Sequence, residues 1–294
     1  MTDGPRIACS ETALERPLLD AWSLASRCGI DAIEVYGAPD DLRRRLPNLR
    51  SARGRGVVIS TVCVGPPFLG RVGADEIDEE ARALKLAISI AADLETSGIV
   101  MPIAALPSFG APPGGLRPYI LEALAELADH AGSAGTSVLI EPLNRYEDGE
   151  VNRLEQAVQL SEEVGSTALS VCADLFHMNI EERDAAEAIH ATGERLRHVH
   201  VADSNRRQPG AGHLDFPTLL GALRTVGYDG WLALECVLDE PVEDALRTAV
   251  QVLQDAWHEH AAAPAPPGSP WWQDDAPSSS AVALGTMFAA TAHR

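Results

Sequence analysis

Short apolar runs rich in valine and isoleucine recur along the chain, and most of them follow a glycine or a small polar turn. There are eight such runs, at residues 6–10, 31–37, 57–64, 98–104, 137–144, 168–176, 197–204 and 231–238. Continuous apolar runs of this length, bounded by turn residues, are typical of strands that are buried on both faces. The pattern therefore predicts eight buried strands.

Between these runs, apolar residues recur at the spacing of an α-helix. Clear examples are residues 78–98, 116–135 and 152–165, each of which closes on a glycine, a residue that commonly ends a helix. Strand and helix alternating eight times predict a single-domain α/β protein with the (β/α)8 TIM-barrel fold. A doubly wound open sheet would place a glycine-rich phosphate turn after its first strand, whereas residues 9–17 read CSETALERP. The count of strands and the missing turn both favour the barrel.

The composition changes near the carboxyl end of the chain. We expect the barrel domain to cover residues 1–260, because residues 261–294 are rich in proline and alanine and have no periodicity. Such a composition is typical of a flexible tail. Trp271 and Trp272 allow a second interpretation, in which the tail anchors on a neighbouring subunit, but we favour the unstructured tail.

Charge limits the classes of partner. The chain has 294 residues, 46% of them apolar, with 23 basic against 43 acidic residues and a formal net charge of −20. Such a charge repels phosphate backbones and anionic lipid surfaces, so we expect neither a nucleic acid nor a membrane as partner. The arginines at 43–45 lie on a predicted helix, where they are expected to form a solvated face.

Cysteine usage and the lack of a targeting segment bear on the cellular compartment. The five cysteines are odd in number, scattered and free of any CxxC pair, which indicates neither a disulfide framework nor a zinc knuckle. No basic and apolar leader opens the sequence, and no apolar run reaches the roughly 18 residues of a membrane span. We expect a cytoplasmic protein, and a homo-oligomer.

Four residues with metal-binding side chains stand at the ends of four consecutive predicted strands, the fifth to the eighth. They are Glu141, Asp174, His200 and Glu235. Taken singly, such an acid is usually a helix cap or a salt-bridge partner, and such a histidine is usually a core residue, as we expect for His198 one layer deeper. Active sites of TIM barrels lie where the strands end, so the joint placement favours one divalent metal ion. Three carboxylates and one imidazole suit Mn²⁺, which we expect first, or else Mg²⁺ or Co²⁺.

Four stretches that contain these residues resemble the motifs of a known family. They are EPLNRYE (141–147), DLFHMNIEE (174–182), HVHVADSNRRQPGAGHLDF (198–216) and ALEC (233–236). The chain resembles the xylose isomerase-like sugar isomerases and epimerases, and among them the ketose 3-epimerases of the D-tagatose 3-epimerase type.

The resemblance implies a sugar substrate and assigns roles to individual residues. It implies that Glu141, Asp174, His200 and Glu235 hold the metal. It also implies that three further side chains contact substrate oxygens, namely Glu147, His177 and Arg206. For Arg206 there is a plainer alternative, a loop arginine tied to Asp203 or Asp215. We expect Asp215 to cap the helix that follows it.

Residues at strands five and eight of a ring of eight approach a bound sugar from nearly opposite sides. Glu141 and Glu235 could therefore remove a proton beside the carbonyl on one face and return one on the other, through an enediolate. This predicts a metal-dependent epimerase acting on a ketose or keto-sugar, and we favour an unphosphorylated one. An aldose–ketose isomerase, a keto-inositol dehydratase and a 3-keto-sugar lyase use the same ligands and stay open, as does a barrel that only binds a sugar. A DNA-repair barrel would need further histidines after the early strands and is disfavoured by the net charge.

Overall fold

A computed structural model of the protein describes residues 4–66, 69, 74–103, 117–147 and 151–259. Eight strands run parallel, each paired with its neighbours in sequence, and the last pairs with the first to close the barrel. The strands are β1 Arg6–Ser10, β2 Ala32–Gly37, β3 Ile59–Val64, β4 Ile99–Pro102, β5 Val138–Glu141, β6 Leu169–Asp174, β7 Leu196–Val201 and β8 Trp231–Leu234. The prediction of a (β/α)8 barrel is confirmed.

Helices connect the strands. They are α1 Glu11–Leu14, α2 Leu18–Arg27, α3 Pro39–Gly54, α4 Ala74–Asp93, α5 Arg117–Ala134, α6 Leu154–Val164, α7 Leu175–Glu181, α8 Ala185–Thr192, α9 Phe216–Thr225 and α10 Val242–Glu259, with a 3₁₀ turn at Gly193–Arg195 before β7. Two helix ends agree with their predicted glycines, since Gly135 and Gly165 follow α5 and α6 with a φ of 73°.

One predicted helix end is wrong. Helix α4 ends at Asp93 rather than at Gly98, which instead lies directly before β4. A Cβ atom at Gly98 would stand 2.6 Å from the carbonyl oxygen of Ser137, so that position requires glycine because the two backbones approach closely. The sixth strand ends at Asp174, as expected, because Asp174 caps α7 and Leu175 is already helical.

The barrel interior is layered, because side chains on a strand alternate between the helix layer and the barrel axis. Four small or aromatic residues form one cluster, namely Ala8, Ala32, Trp231 and Ala233. A second cluster holds Cys63, Val100, Leu139 and Cys172. Two residues further along β5 and β6 from Leu139 and Cys172 are Glu141 and Asp174, so the same alternation directs the predicted ligands inward at the carboxyl ends of the strands.

Several predictions lie beyond these elements. The predicted tail and its two tryptophans fall outside the described residues, and the expected homo-oligomer stays a prediction. Within the described ranges, no helix combines the length and the apolar character needed to cross a membrane.

Candidate functional site

The four predicted metal ligands come together at the carboxyl ends of the strands. Glu141 and Asp174 end β5 and β6, His200 is the penultimate residue of β7, and Glu235 directly follows β8. One ligand atom from each residue lies within 4.8 Å of those of the other three. The first three side chains are buried, and Glu235 is 20% exposed. The barrel topology thus produces a compact cluster of three carboxylates and one imidazole.

Asp174 caps a helix and also belongs to the cluster of candidate metal ligands. One oxygen, Oδ1, accepts hydrogen bonds from the backbone N–H groups of Phe176 and His177 at 2.7 and 3.1 Å, and so caps α7. The other oxygen, Oδ2, lies 3.7 Å from Nε2 of His177. Helix capping therefore fixes the orientation of this carboxylate while one of its oxygens stays available to the cluster.

His200 is contacted on both ring nitrogens by carboxylates. Its Nδ1 lies 2.6 Å from Oε1 of Glu141 and 3.5 Å from Oε2 of Glu235. Its Nε2 lies 3.2 Å from Oε2 of Glu34, on β2. Glu34 was missed by the sequence analysis, although a carboxylate in the middle of the apolar run DAIEVYG was a signal that could have identified it. His198, expected to be a core residue, is fully buried and its Nε2 lies 2.8 Å from the same Glu34 oxygen.

The charges in this cluster are strongly coupled. Burial, with the neighbouring carboxylates, raises the pKa of Glu235 to about 8, although His200 acts in the opposite direction. Burial would lower the pKa of His200, but the surrounding carboxylates, Glu34 first, raise it well above its ordinary value. Burial would raise the pKa of Glu34, but His200 and His198 lower it. The pattern is that of an excess of negative charge, which a bound cation would relieve.

The donor set fits a single divalent cation of the hard class. Three carboxylates and one imidazole are the ligands that Mn²⁺, Mg²⁺ or Co²⁺ accept. Two alternative groups of similar compactness include a thiol, from Cys63 or Cys172. Burial raises the pKa of both thiols well above the ordinary value, and hard cations take oxygen and nitrogen ligands in preference to sulfur. The group of three carboxylates and one imidazole is therefore the one best suited to bind such a cation.

The three residues assigned to substrate contacts lie beside this cluster. The guanidinium of Arg206 donates a hydrogen bond to Oε1 of Glu147 at 2.5 Å and lies 4.0 Å from Oε2 of Glu235. The two alternative partners of Arg206, Asp203 and Asp215, form other hydrogen bonds. Asp203 accepts hydrogen bonds from backbone N–H groups of its own loop, and Asp215 caps α9 as expected.

Asn144 links two of these residues and was given no role in the sequence analysis. Its buried side-chain amide donates to Oε1 of Glu147 at 3.0 Å and lies 2.7 Å from Nδ1 of His177. The backbone N–H of Asn144 donates to the same Nδ1 at 3.2 Å. Because Nδ1 accepts from a backbone donor, it carries a lone pair, and the proton of neutral His177 sits on Nε2. His177 thus presents a donor toward the side on which Asp174 lies.

A closed barrel of eight parallel strands, with this ligand cluster at the carboxyl ends of four of them, defines a TIM-barrel protein with a candidate metal centre. Comparison with known proteins gives the family. The chain belongs to the xylose isomerase-like TIM barrel family, whose profile matches residues 22–256. The resemblance stated from the sequence motifs is confirmed.

Relatives with named activities support this assignment. The chain is 32% identical over 231 residues to the 3-dehydro-D-guloside 4-epimerase of Escherichia coli (strain K12), covering 74% of this chain and 86% of the relative. It is 28% identical over 248 residues to the L-ribulose 3-epimerase of Methylomonas sp. (strain DH-1), covering 84% and 81%. The crystal structure of 3-keto-D-glucoside 4-epimerase from E. coli superposes with a TM-score of 0.76 at 27% identity, covering 84% of this chain and 99% of that one.

Proposed function

We propose that this chain is a metal-dependent sugar epimerase, which inverts a carbon atom beside the carbonyl of a ketose or keto-sugar through an enediolate. The observation that carries the proposal is the convergence of Glu141, Asp174, His200 and Glu235 within 4.8 Å at the carboxyl ends of the strands. The names of two relatives share one chemistry, since C4 of a 3-keto sugar and C3 of a 2-ketose are both adjacent to the carbonyl.

Glu141 and Glu235 are the proposed acid and base. A hydrogen beside a carbonyl is acidic enough for a carboxylate to remove when negative charge on the carbonyl oxygen is stabilised, and a bound divalent cation supplies that stabilisation. Inversion requires that one carboxylate removes the proton from one face and that the other returns a proton to the opposite face.

Arg206, Glu147 and His177 are proposed to orient the sugar hydroxyls. Arg206 and Glu147 form one charged pair at the edge of the cluster, each about two-fifths exposed, so both are accessible to a ligand. His177 presents an Nε2–H donor, because its Nδ1 accepts from Asn144. Together they provide a cation, an anion and a neutral donor, the set needed to hold several hydroxyl groups in one orientation.

The test is turnover in D₂O of the best substrate from a panel of free ketoses, keto-glycosides and keto-inositols. Because carboxylates near a sugar exchange protons with water, the inverted carbon of the product should carry deuterium. Product with its hydrogen moved to the neighbouring carbon and no solvent label would instead indicate an aldose–ketose isomerase. An unsaturated product formed by loss of water would indicate a dehydratase, and one formed by loss of the aglycone alcohol would indicate a lyase. Any of these results would reject the epimerase.

Matched variants show whether the two carboxylates carry the proton transfer. Glu141→Gln and Glu235→Gln should each abolish epimerisation, whereas Glu243→Gln, a carboxylate paired with Arg247 on the surface of α10, should leave it unchanged. Binding of a sugar without turnover in the metal-loaded wild type, across the whole panel, would favour a binding protein over an enzyme.

A further inference from the structure

Glu34 approaches His200 from the side opposite the ligand cluster. We propose that Glu34 is a positioning residue, which holds the proton of His200 on Nε2 in the metal-loaded protein and so leaves the Nδ1 lone pair facing Glu141 and Glu235. This inference rests on the metal site of the proposed function.

The contacts of Glu34 are those of an acceptor for several donors. Its Oε2 accepts from the hydroxyl of Thr61 at 2.7 Å and lies 2.8 and 3.2 Å from Nε2 of His198 and of His200. Its Oε1 lies 3.1 Å from the same Nε2 of His200. Glu34, His198 and His200 are all fully buried. Among the described residues, the carboxylate of Glu34 is therefore contacted by protein groups and not by solvent.

A carboxylate can only accept hydrogen bonds, so each imidazole nitrogen that faces it must carry a proton. Nδ1 of His200 also faces carboxylates, so the protein without a cation holds protons on both ring nitrogens. A cation held by the cluster would take the place of the Nδ1 proton, whereas Glu34 keeps the proton on Nε2. The lone pair of Nδ1 then points at the cluster of carboxylates, where a ligand atom is needed. A carboxylate behind a ligating histidine orients the ring and makes it a stronger donor to metal.

His198 belongs to the same arrangement. Its ring lies 5.0 Å from that of His200, edge to face at 87°, so both Nε2 atoms reach one carboxylate without stacking. With Thr61 on the third side, Glu34 has little freedom to rotate away from His200. Thr61, His198 and His200 thus hold the carboxylate of Glu34 in place, and that carboxylate in turn orients the ring of His200.

A purely structural role is a poor explanation for Glu34. A buried ion pair in a barrel core is often matched or bettered in stability by apolar residues of similar volume, because removing the charges from water is costly. The neighbouring interior positions are apolar or small, including Ala32 on the same strand. The retained carboxylate is best explained by what it does to His200.

The test compares Glu34→Gln with Thr61→Val. Both oxygens of Glu34 lie within 3.2 Å of Nε2 of His200, so the glutamine keeps the shape but turns an NH₂ donor toward that N–H in either orientation of its amide. The valine removes one donor to Glu34 and leaves both histidines in place. We expect Glu34→Gln to weaken Mn²⁺ binding by roughly 10- to 100-fold, measured as free Mn²⁺ by electron paramagnetic resonance, and Thr61→Val to change it by less than about threefold. Thermal unfolding of both variants checks that they are folded.

A second measurement does not depend on either variant. Ring ¹⁵N shifts of His200 in the Mg²⁺-loaded wild type should show a protonated Nε2 and an unprotonated Nδ1. A protonated Nδ1, or equal losses of affinity in Glu34→Gln and Thr61→Val, would overturn the inference. If the wild type binds no divalent ion, the proposed function fails as well, whereas a wild type that binds Mn²⁺ no better than a folded Glu34→Gln variant contradicts the positioning role alone.

Discussion

Removing the side chain of Asn144 should separate substrate orientation from metal binding. In Asn144→Ala, the side-chain amide that contacts Glu147 at 3.0 Å and His177 at 2.7 Å is lost. The backbone N–H of residue 144, which also donates to His177, remains. His177 therefore keeps its protonation pattern but loses one of the two donors to its Nδ1. Among the side-chain contacts described for Glu147, the one with Arg206 remains.

The size of the effect follows from those two contacts. A hydrogen bond between neutral groups contributes about 0.5 to 1.5 kcal/mol, and one to a charged group such as Glu147 contributes about 1.5 to 3 kcal/mol. Losing both would cost about 2 to 4.5 kcal/mol if the full effect appeared in the transition state. Because the remaining contacts hold both side chains partly in place, we expect the lower end, a fall in kcat/KM of roughly 30-fold.

The assay is kcat/KM with the best substrate of the sugar panel, together with metal content by mass spectrometry. Asn152→Ala is the matched control, since its amide donates to the carbonyl of Leu143 in the same connection, and none of the hydrogen bonds described for Asn152 goes to Glu147 or His177. The control should stay within about threefold of the wild type. An Asn144→Ala enzyme with unchanged kcat/KM, or a control that falls equally far, would refute the reasoning.

Three further predictions concern the metal and its neighbours. Protein purified without chelator should carry close to one Mn, Mg or Co ion per chain, and His200→Ala should abolish it; full activity after exhaustive chelation would contradict this. Glu147→Ala and His177→Ala should keep the metal and lose roughly 100-fold in kcat/KM, and loss of the metal in both would place them among the ligands. Because Glu235, with a pKa of about 8, and His200, whose pKa the carboxylates raise, must each lose a proton when a cation binds at lower pH, Mn²⁺ affinity should rise at least about tenfold per unit between pH 6 and 8. A dissociation constant that stays flat over this range would show that Glu235 is not a ligand.

The fold and the four candidate ligands were accessible from the sequence because both depend on local patterns. Apolar runs with helices between them specify the order of strands, and a parallel barrel then brings all strand ends to one face. Glu141 and Asp174 could be assigned to that face from their position at the end of a run alone. No long-range information was needed for this step.

Glu34 and the partner of Arg206 required long-range information that the sequence pattern lacks. Glu34 contacts His198 across 164 positions, and only the register of the closed barrel brings them to one level. Arg206 has an acid three residues before it, yet its side chain pairs with Glu147, 59 positions away. Sequence proximity favoured the wrong partner because loop conformation decides where a long side chain points.

The backbone conformation of Arg206 supports the substrate-contact role proposed for its side chain. With a φ of 60°, it adopts the left-handed conformation that costs a non-glycine residue about 1 kcal/mol or more. The turn itself is held by main-chain bonds, from the Arg206 N–H to the carbonyl of Asp203 and from the Val237 N–H to the carbonyl of Arg206, both at 2.8 Å. Glycine could make both bonds without strain. The arginine must therefore be explained by its guanidinium, which lies beside Glu147 and over the ring of Phe176 at the edge of the ligand cluster. The strained backbone at this position places the positive charge of Arg206 at the edge of the cluster, where the proposed reaction would develop negative charge.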